Sequence, residues 1–167
     1  MKYPWLILLA VLALFHVGIA LAVEPGYKTT TRAGDSLLKE LESRTKLLAA
    51  AARKGDIDKV RALRPAAVNK MMGPNVNSAD LKDLAAFIAP DITDFRFVQL
   101  DSSGRYARAV YYKTSKDQMT IMVQMFIKEG DWKVGGNNTH NYHGRLPTLS
   151  TAIAEALKNP NVRLPKQ

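Results

Sequence analysis

Cysteine is absent from the 167-residue chain. That excludes a disulfide framework, a redox cysteine pair and a thiolate metal site, and leaves apolar burial to stabilise the fold. Histidine is scarce too, with only His16, His140 and His143. No acidic residue occurs between Trp132 and Ala154. A zinc ion at His140 and His143 would need its other ligands from distant parts of the chain, and no metal site is expected. A Gly-x-Ser-x-Gly elbow, a phosphate loop and a calcium loop are all missing. Nucleophilic and nucleotide chemistry therefore have no support, no catalytic residue is assigned and no cofactor is expected. No segment repeats.

Residues 1–22 place Lys2 ahead of an apolar run from Trp5 to Ala22, broken only by His16 and Gly18, and end in Ala20-Leu21-Ala22. This is the pattern of a secretory signal cut after Ala22, so the protein is expected to be exported, periplasmic or secreted. The run almost reaches the roughly 20 residues that span a bilayer, which makes an uncleaved anchor the alternative. The remainder has the length of one domain. The expected organisation is a signal at 1–22, a flexible spacer at 23–34, a single domain at 35–158 and a tail at 159–167.

The leader takes one of the 24 basic residues and none of the 15 acidic ones, leaving +8 of a formal +9. Much of that charge is local: Arg44, Lys46, Arg53, Lys54, Lys59, Arg61, Arg64 and Lys70 stand against only Asp56 and Asp58. Such a field draws in anions, and for an exported protein the natural partner is an anionic envelope surface or an acidic protein, with nucleic acid less natural. The plain alternative is a set of solvated helix faces that serve solubility.

Asp35 can cap a helix to about Lys54 with Leu38, Leu41, Thr45, Leu48 and Ala52 on one stripe and Gly55 closing it. Glu40 with Arg44 and Glu42 with Lys46 are expected on its wet side. A shorter helix starts at Asp56 and is disturbed at Pro65, with one or two more turns in PAAVNKMMG. Asn77 or Ser78 caps another, Ala79 to Ala89, whose inward stripe is Leu81, Leu84, Ala85 and Ile88. From Asp94 the hydrophobic period changes to two, and four strands are expected at 95–100, 105–113, 119–128 and 132–136, joined by the turn-rich DSSG, TSKDQ and EGD. The fold class is α+β: N-terminal helices packed on a curved four-stranded antiparallel meander, with a C-terminal helix, Leu149 to Lys158.

Short turns fix register. A two-residue turn at Gly130-Asp131 sets Ile127 opposite Val134, and one centred on Lys116-Asp117 sets Tyr112 opposite Ile121 and Val110 opposite Val123. One face then carries Phe95, Phe97, Gln99, Tyr106, Arg108, Val110, Tyr112, Ile121, Val123, Trp132 and Val134, and the N-terminal helices are expected to cover it. The opposite face carries Arg96, Val98, Ala107, Ala109, Met122, Gln124 and Phe126, a greasy centre with a basic rim. It is expected either to form a homodimer or to lie under the C-terminal helix.

Helices followed by a meander ending in FIKEGDWKVGG (126–136) resemble the nuclear transport factor two-like (cystatin-like) superfamily over roughly residues 35 to 136, and small exported bacterial proteins within it. The resemblance implies an α+β cone enclosing a pocket. Some members use the pocket for ligand binding; others, such as ketosteroid isomerase and scytalone dehydratase, use it for proton transfer. Here the strand interiors place no Asp or Glu on the covered face, because Asp101, Asp117, Glu129 and Asp131 flank turns and Asp91 and Asp94 precede the first strand. That departs from the enzymatic pattern.

The polar insertions are Gln99, Tyr106, Arg108 and Tyr112, a receptor for a small apolar or anionic ligand unless Arg108 leaves at the rim for water. His140, Tyr142 and His143 follow the last strand in a polar loop at the pocket mouth, which also holds the sequon Asn137-Asn138-Thr139. His140 and His143 join the expected ligand site. Three functions remain open: a non-catalytic binding or interaction protein, a small lyase, isomerase or hydrolase using a mouth histidine, and a basic adaptor for anionic envelope surfaces.

Overall fold

The computed structural model describes residues 28–31, 35–88 and 95–164. The leader and its cut, the rest of the expected spacer, Pro90, Asp91, Asp94 and the last three residues lie outside them, as do the side chains of Leu84 and Ile88. Among the described residues no helix is long and apolar enough to cross a membrane.

Helix α1, Ser36–Lys54, buries the whole predicted stripe of Leu38, Leu41, Thr45, Leu48 and Ala52. Asp35 accepts from the Leu37 N–H at 2.9 Å, satisfying a donor that every helix start leaves open. Gly55 ends the helix at φ 70°, and a Cβ at that position would run into Ser78. Backbone and space together call for glycine. Asp56 caps α2, Ile57–Leu63, by accepting from the Lys59 N–H at 3.0 Å. Pro65 separates α2 from α3, Ala66–Met72, since proline cannot donate and disfavours helix in the residue before it. Asn77 caps α4, Ser78–Ile88, by accepting from Ala79 and Asp80.

The sheet has strands β1, Lys28–Thr31; β2, Phe97–Leu100; β3, Tyr106–Thr114; β4, Gln118–Glu129; and β5, Asp131–His143. They lie in sequence order, each antiparallel to the next. Helix α5, Leu149–Lys158, and a 3-10 turn, Pro160–Val162, follow. The architecture is α+β with N-terminal helices, a meander and a C-terminal helix. Strand β1 is an addition: it lies within the stretch expected to be a flexible spacer and extends the expected four strands to five. Its Lys-Thr-Thr-Thr run is rich in β-branched residues, which suit a pleated surface.

Strand β2 joins β3 with Phe97 opposite Val110, and the expected register holds from β3 to β4, with Tyr112 opposite Ile121 and Val110 opposite Val123. It fails at the last turn, where Val134 faces Phe126 rather than Ile127 and Lys133 faces Ile127. The cause is the turn itself, which sets Glu129 opposite Asp131 across Gly130, and a bulge between Gln124 and Phe126 then shifts the register by one. An extra residue there switches which side chains of β5 point to which face. Beyond the bulge Ile121 faces His140, the register that the two-residue turn would have produced.

Both faces are covered, and by the opposite helices to those expected. The alanine face, Val98, Ala107, Ala109, Met122, Phe126, Trp132 and Val134, packs with Leu38, Leu41, Leu48, Val60, Leu63 and Leu81 of α1, α2 and α4. Its small alanines form a flat bed on which a long helix can lie close. The arginine face, Phe97, Val110, Ile121, Val123 and Met125 around Arg108, packs with Ala152, Ile153, Ala156 and Leu157 of α5. The greasy surface on which a homodimer was expected is therefore buried under the N-terminal helices. Phe95 also departs from the expected alternation and joins the alanine-face core, edge-on to Phe126 at 6.0 Å and 85°. Glu42, expected on the wet side of α1, is buried and accepts the Phe95 N–H at 2.8 Å.

Candidate functional site

The arginine face brings Gln99, Tyr106, Arg108, Tyr112 and His140 to one side of the sheet. Gln99 and Arg108 are cross-strand partners, and both are buried, Arg108 with 0% exposure. Arg108 therefore does not leave at the rim for water. Its Nε donates to Gln99 Oε1 at 2.7 Å, and its Nη1 donates to the Leu157 and Val162 carbonyls at 3.1 and 3.4 Å. Leu157 lies in the last turn of α5, whose carbonyls have no partner within the helix. A guanidinium suits that place in charge as well as in geometry, because the helix dipole is negative there. Arg108 thus ties the C-terminal helix and the turn after it to the sheet.

Tyr106 and Tyr112 are half-buried at the border of this core. The Arg96 guanidinium lies over the Tyr112 ring at 5.3 Å. His140 is not in a loop, because β5 continues through the whole Asn-rich stretch to His143. It is half-buried, contacts the Asn138 side-chain amide, and stacks on Tyr142 with 6.4 Å between ring centroids. The Tyr142 hydroxyl donates to Glu155 of α5 at 3.1 Å. Burial and then the Glu155 carboxylate push the phenol above its ordinary range. His143 is exposed and, an odd number of residues from His140 along the strand, belongs to the other face. The two histidines therefore cannot act on one group from one side. Among the described residues no three His, Asp or Glu side chains gather to hold a metal ion.

A second polar node escaped the sequence reading. At the bulge, Gln124 is fully buried and its Nε2 donates to the carbonyls of Met125, Gly135 and Gly136 at 3.2, 3.0 and 2.9 Å. From α2's end, Arg64 Nη1 donates to Val134 O and Gly135 O at 3.1 and 2.5 Å. Burial lowers the Arg64 pKa from its ordinary value, yet the guanidinium remains charged at any physiological pH. A Cβ on Gly135 would sit 3.1 Å from Met125 O, a tight approach that favours glycine at this crossing. A buried-strand glutamine facing Gly-Gly was the available signal.

The remaining basic residues divide. Arg44 pairs with Asp131 at 3.4 Å and Glu40 at 4.0 Å, and Arg61 donates to Gly73 O at 2.5 Å. Lys46, Arg53, Lys54, Lys59 and Lys70 are exposed. Two large apolar side chains are exposed among the described residues, Leu47 at 41% and Met71 at 86%; Leu47 lies within this basic segment and Met71 directly follows its last residue, Lys70.

Comparison with family models, with curated proteins and with solved structures finds no match to the chain.

Proposed function

We propose that the protein is an exported, non-catalytic interaction protein that docks on anionic envelope surfaces through the outer side of α1 to α3. Its order of helices, meander and C-terminal helix supports placing it with the nuclear transport factor two-like superfamily. The observation that carries the reading is the coincidence of the exposed Leu47 and Met71 with the exposed lysines of the Arg44 to Met71 segment. Lysines near an anionic headgroup layer contribute about 1 kcal/mol each at low salt, and apolar side chains between them can enter the headgroup boundary. The arginine face supports the same choice from the other side, because Arg108, the residue best suited to a small anion, bonds the chain's own α5.

Vesicle co-sedimentation tests this. The protein should bind vesicles containing anionic phospholipid, not purely zwitterionic ones, and release in about 0.5 M salt, where the screening length falls well below 10 Å. Replacing Lys46, Lys54, Lys59 and Lys70 together by glutamine should lower binding by about two to three orders of magnitude. Equal binding to both vesicle types, or none to either, overturns the proposal.

A further inference from the structure

We propose that the distal half of β5 is a self-association edge, at which a second copy of this chain pairs antiparallel so that one sheet runs through both copies. Among the described residues, strand β5 is the last in the sheet and pairs only with β4. Its hydrogen-bond phase follows from two contacts at the strand ends: Gly144 N–H donates to Asp117 O at 2.9 Å, and Lys128 N–H donates to Arg105 O at 2.8 Å. Given the register, Asn138, His140 and Tyr142 exchange their backbone bonds with β4. The N–H and C=O groups of Thr139, Asn141 and His143 therefore point away from the sheet. All three residues are exposed, and among the described residues no other backbone segment bonds to them.

The near part of the same edge is closed: Arg64 takes the Val134 and Gly135 carbonyls, and Lys133 Nζ donates to Ala62 O at 2.8 Å. Beyond the bulge, the far part carries no blocking residue. No proline and no charged residue occurs between Lys133 and Arg145, whereas edges meant to stay single carry lysine, proline or inward charge. That absence also selects the occupant. An acidic peptide would find no Lys or Arg along residues 134–144. A second copy with its own net charge of +9 can approach closely only where neither strand carries charge. About a two-fold axis at His140, Thr139 of each copy faces Asn141 of the other, so outward groups meet outward groups, with about four new backbone hydrogen bonds. The axis sets the two His140 side chains next to each other in a non-hydrogen-bonded pair, the closest cross-strand position.

Sedimentation equilibrium of the full chain without lipid tests this, with variants placed by the bond phase. Asn141→Pro removes an outward N–H and no backbone bond to β4, though it loses the side-chain bond that Thr120 Oγ1 donates to Asn141 Oδ1 at 2.9 Å, and Thr139→Lys adds edge charge at an exposed position. Each should shift the wild-type dimer to monomer, while circular dichroism shows the fold retained. Because the chain has no cysteine, His140→Cys should give a disulfide-linked dimer under mild oxidation as its only covalent product. A wild type that stays monomeric at about 0.1 mM, or a dimer unchanged by Thr139→Lys and not linked through position 140, overturns the proposal.

Discussion

The two faces of the sheet are covered by different means. On the alanine face, several helices lie on a larger apolar cluster of small and aromatic side chains, with Glu42, Arg64 and Lys133 adding bonds between helices and sheet toward its ends. On the arginine face a single helix is held by a smaller apolar cluster and by directed bonds, Arg108 to the end of α5 and Tyr142 to Glu155. An area-driven interface tolerates many arrangements of similar volume, while one fixed by a buried guanidinium admits few. The outer side of the long helical layer carries Lys46, Leu47, Lys54 and Lys59, all exposed. The short α5 is spent on closing its face.

The contrast can be broken most strongly from the apolar side. Phe126→Ala should cost about 3–5 kcal/mol, the range for emptying a buried aromatic site, and lower the urea midpoint of the whole domain without separating its elements. Arg108→Met keeps volume and removes charge-assisted bonds. It should cost about 2–3 kcal/mol, with hydrogen exchange in α5 rising before exchange in α1; equal acceleration in both helices would show that the arginine acts on the whole core.

Asp101 sharpens the comparison at the β2–β3 turn. Burial works to raise its pKa, but hydrogen bonds from the Ser103 hydroxyl and the Tyr106 and Arg105 N–H groups outweigh it and hold the carboxyl below its ordinary value. A carboxylate with a depressed folded pKa contributes stability above its unfolded pKa of about 4 and loses it as pH falls through the lower folded value. Asp101→Asn should therefore destabilise by about 1 kcal/mol at neutral pH, and the gap to wild type should close in acid.

The smallest effect is expected at Tyr142→Phe, under about 1 kcal/mol for a solvent-accessible hydrogen bond. Its sign with pH is opposite. The raised phenol pKa places the full contribution below the unfolded value of about 10 and removes it as pH climbs through the folded one, so stability curves of the two proteins should converge only in strong alkali.

Local features were legible in the sequence because they rest on local causes. The α1 stripe, the cap at Asp35, the helix start at Asp56 and the β3–β4 register all follow from spacing and turn chemistry. Which helices cover which face was not legible, because both faces have apolar centres and periodicity cannot choose between them. The bulge hid in Gly135-Gly136, which reads as a strand end but is a crossing point filled by Gln124. Asparagine-rich residues 137–143 have poor strand propensity, and pairing with the apolar β4 overrides it. The partners of Arg108 are 49 and 54 residues away in sequence, so its placement on the correct face could be read while its bonds could not.

The central claim is that the working surface lies on the helical layer and that the arginine face is closed. Hydrogen–deuterium exchange of the full chain, with and without anionic vesicles at low salt, tests it most directly. Added protection should appear along residues 46–59 and around Met71 and leave α5, Tyr112 and His140 unchanged. Protection confined to α5 and the arginine face, with α1 and α2 unaffected, would contradict it.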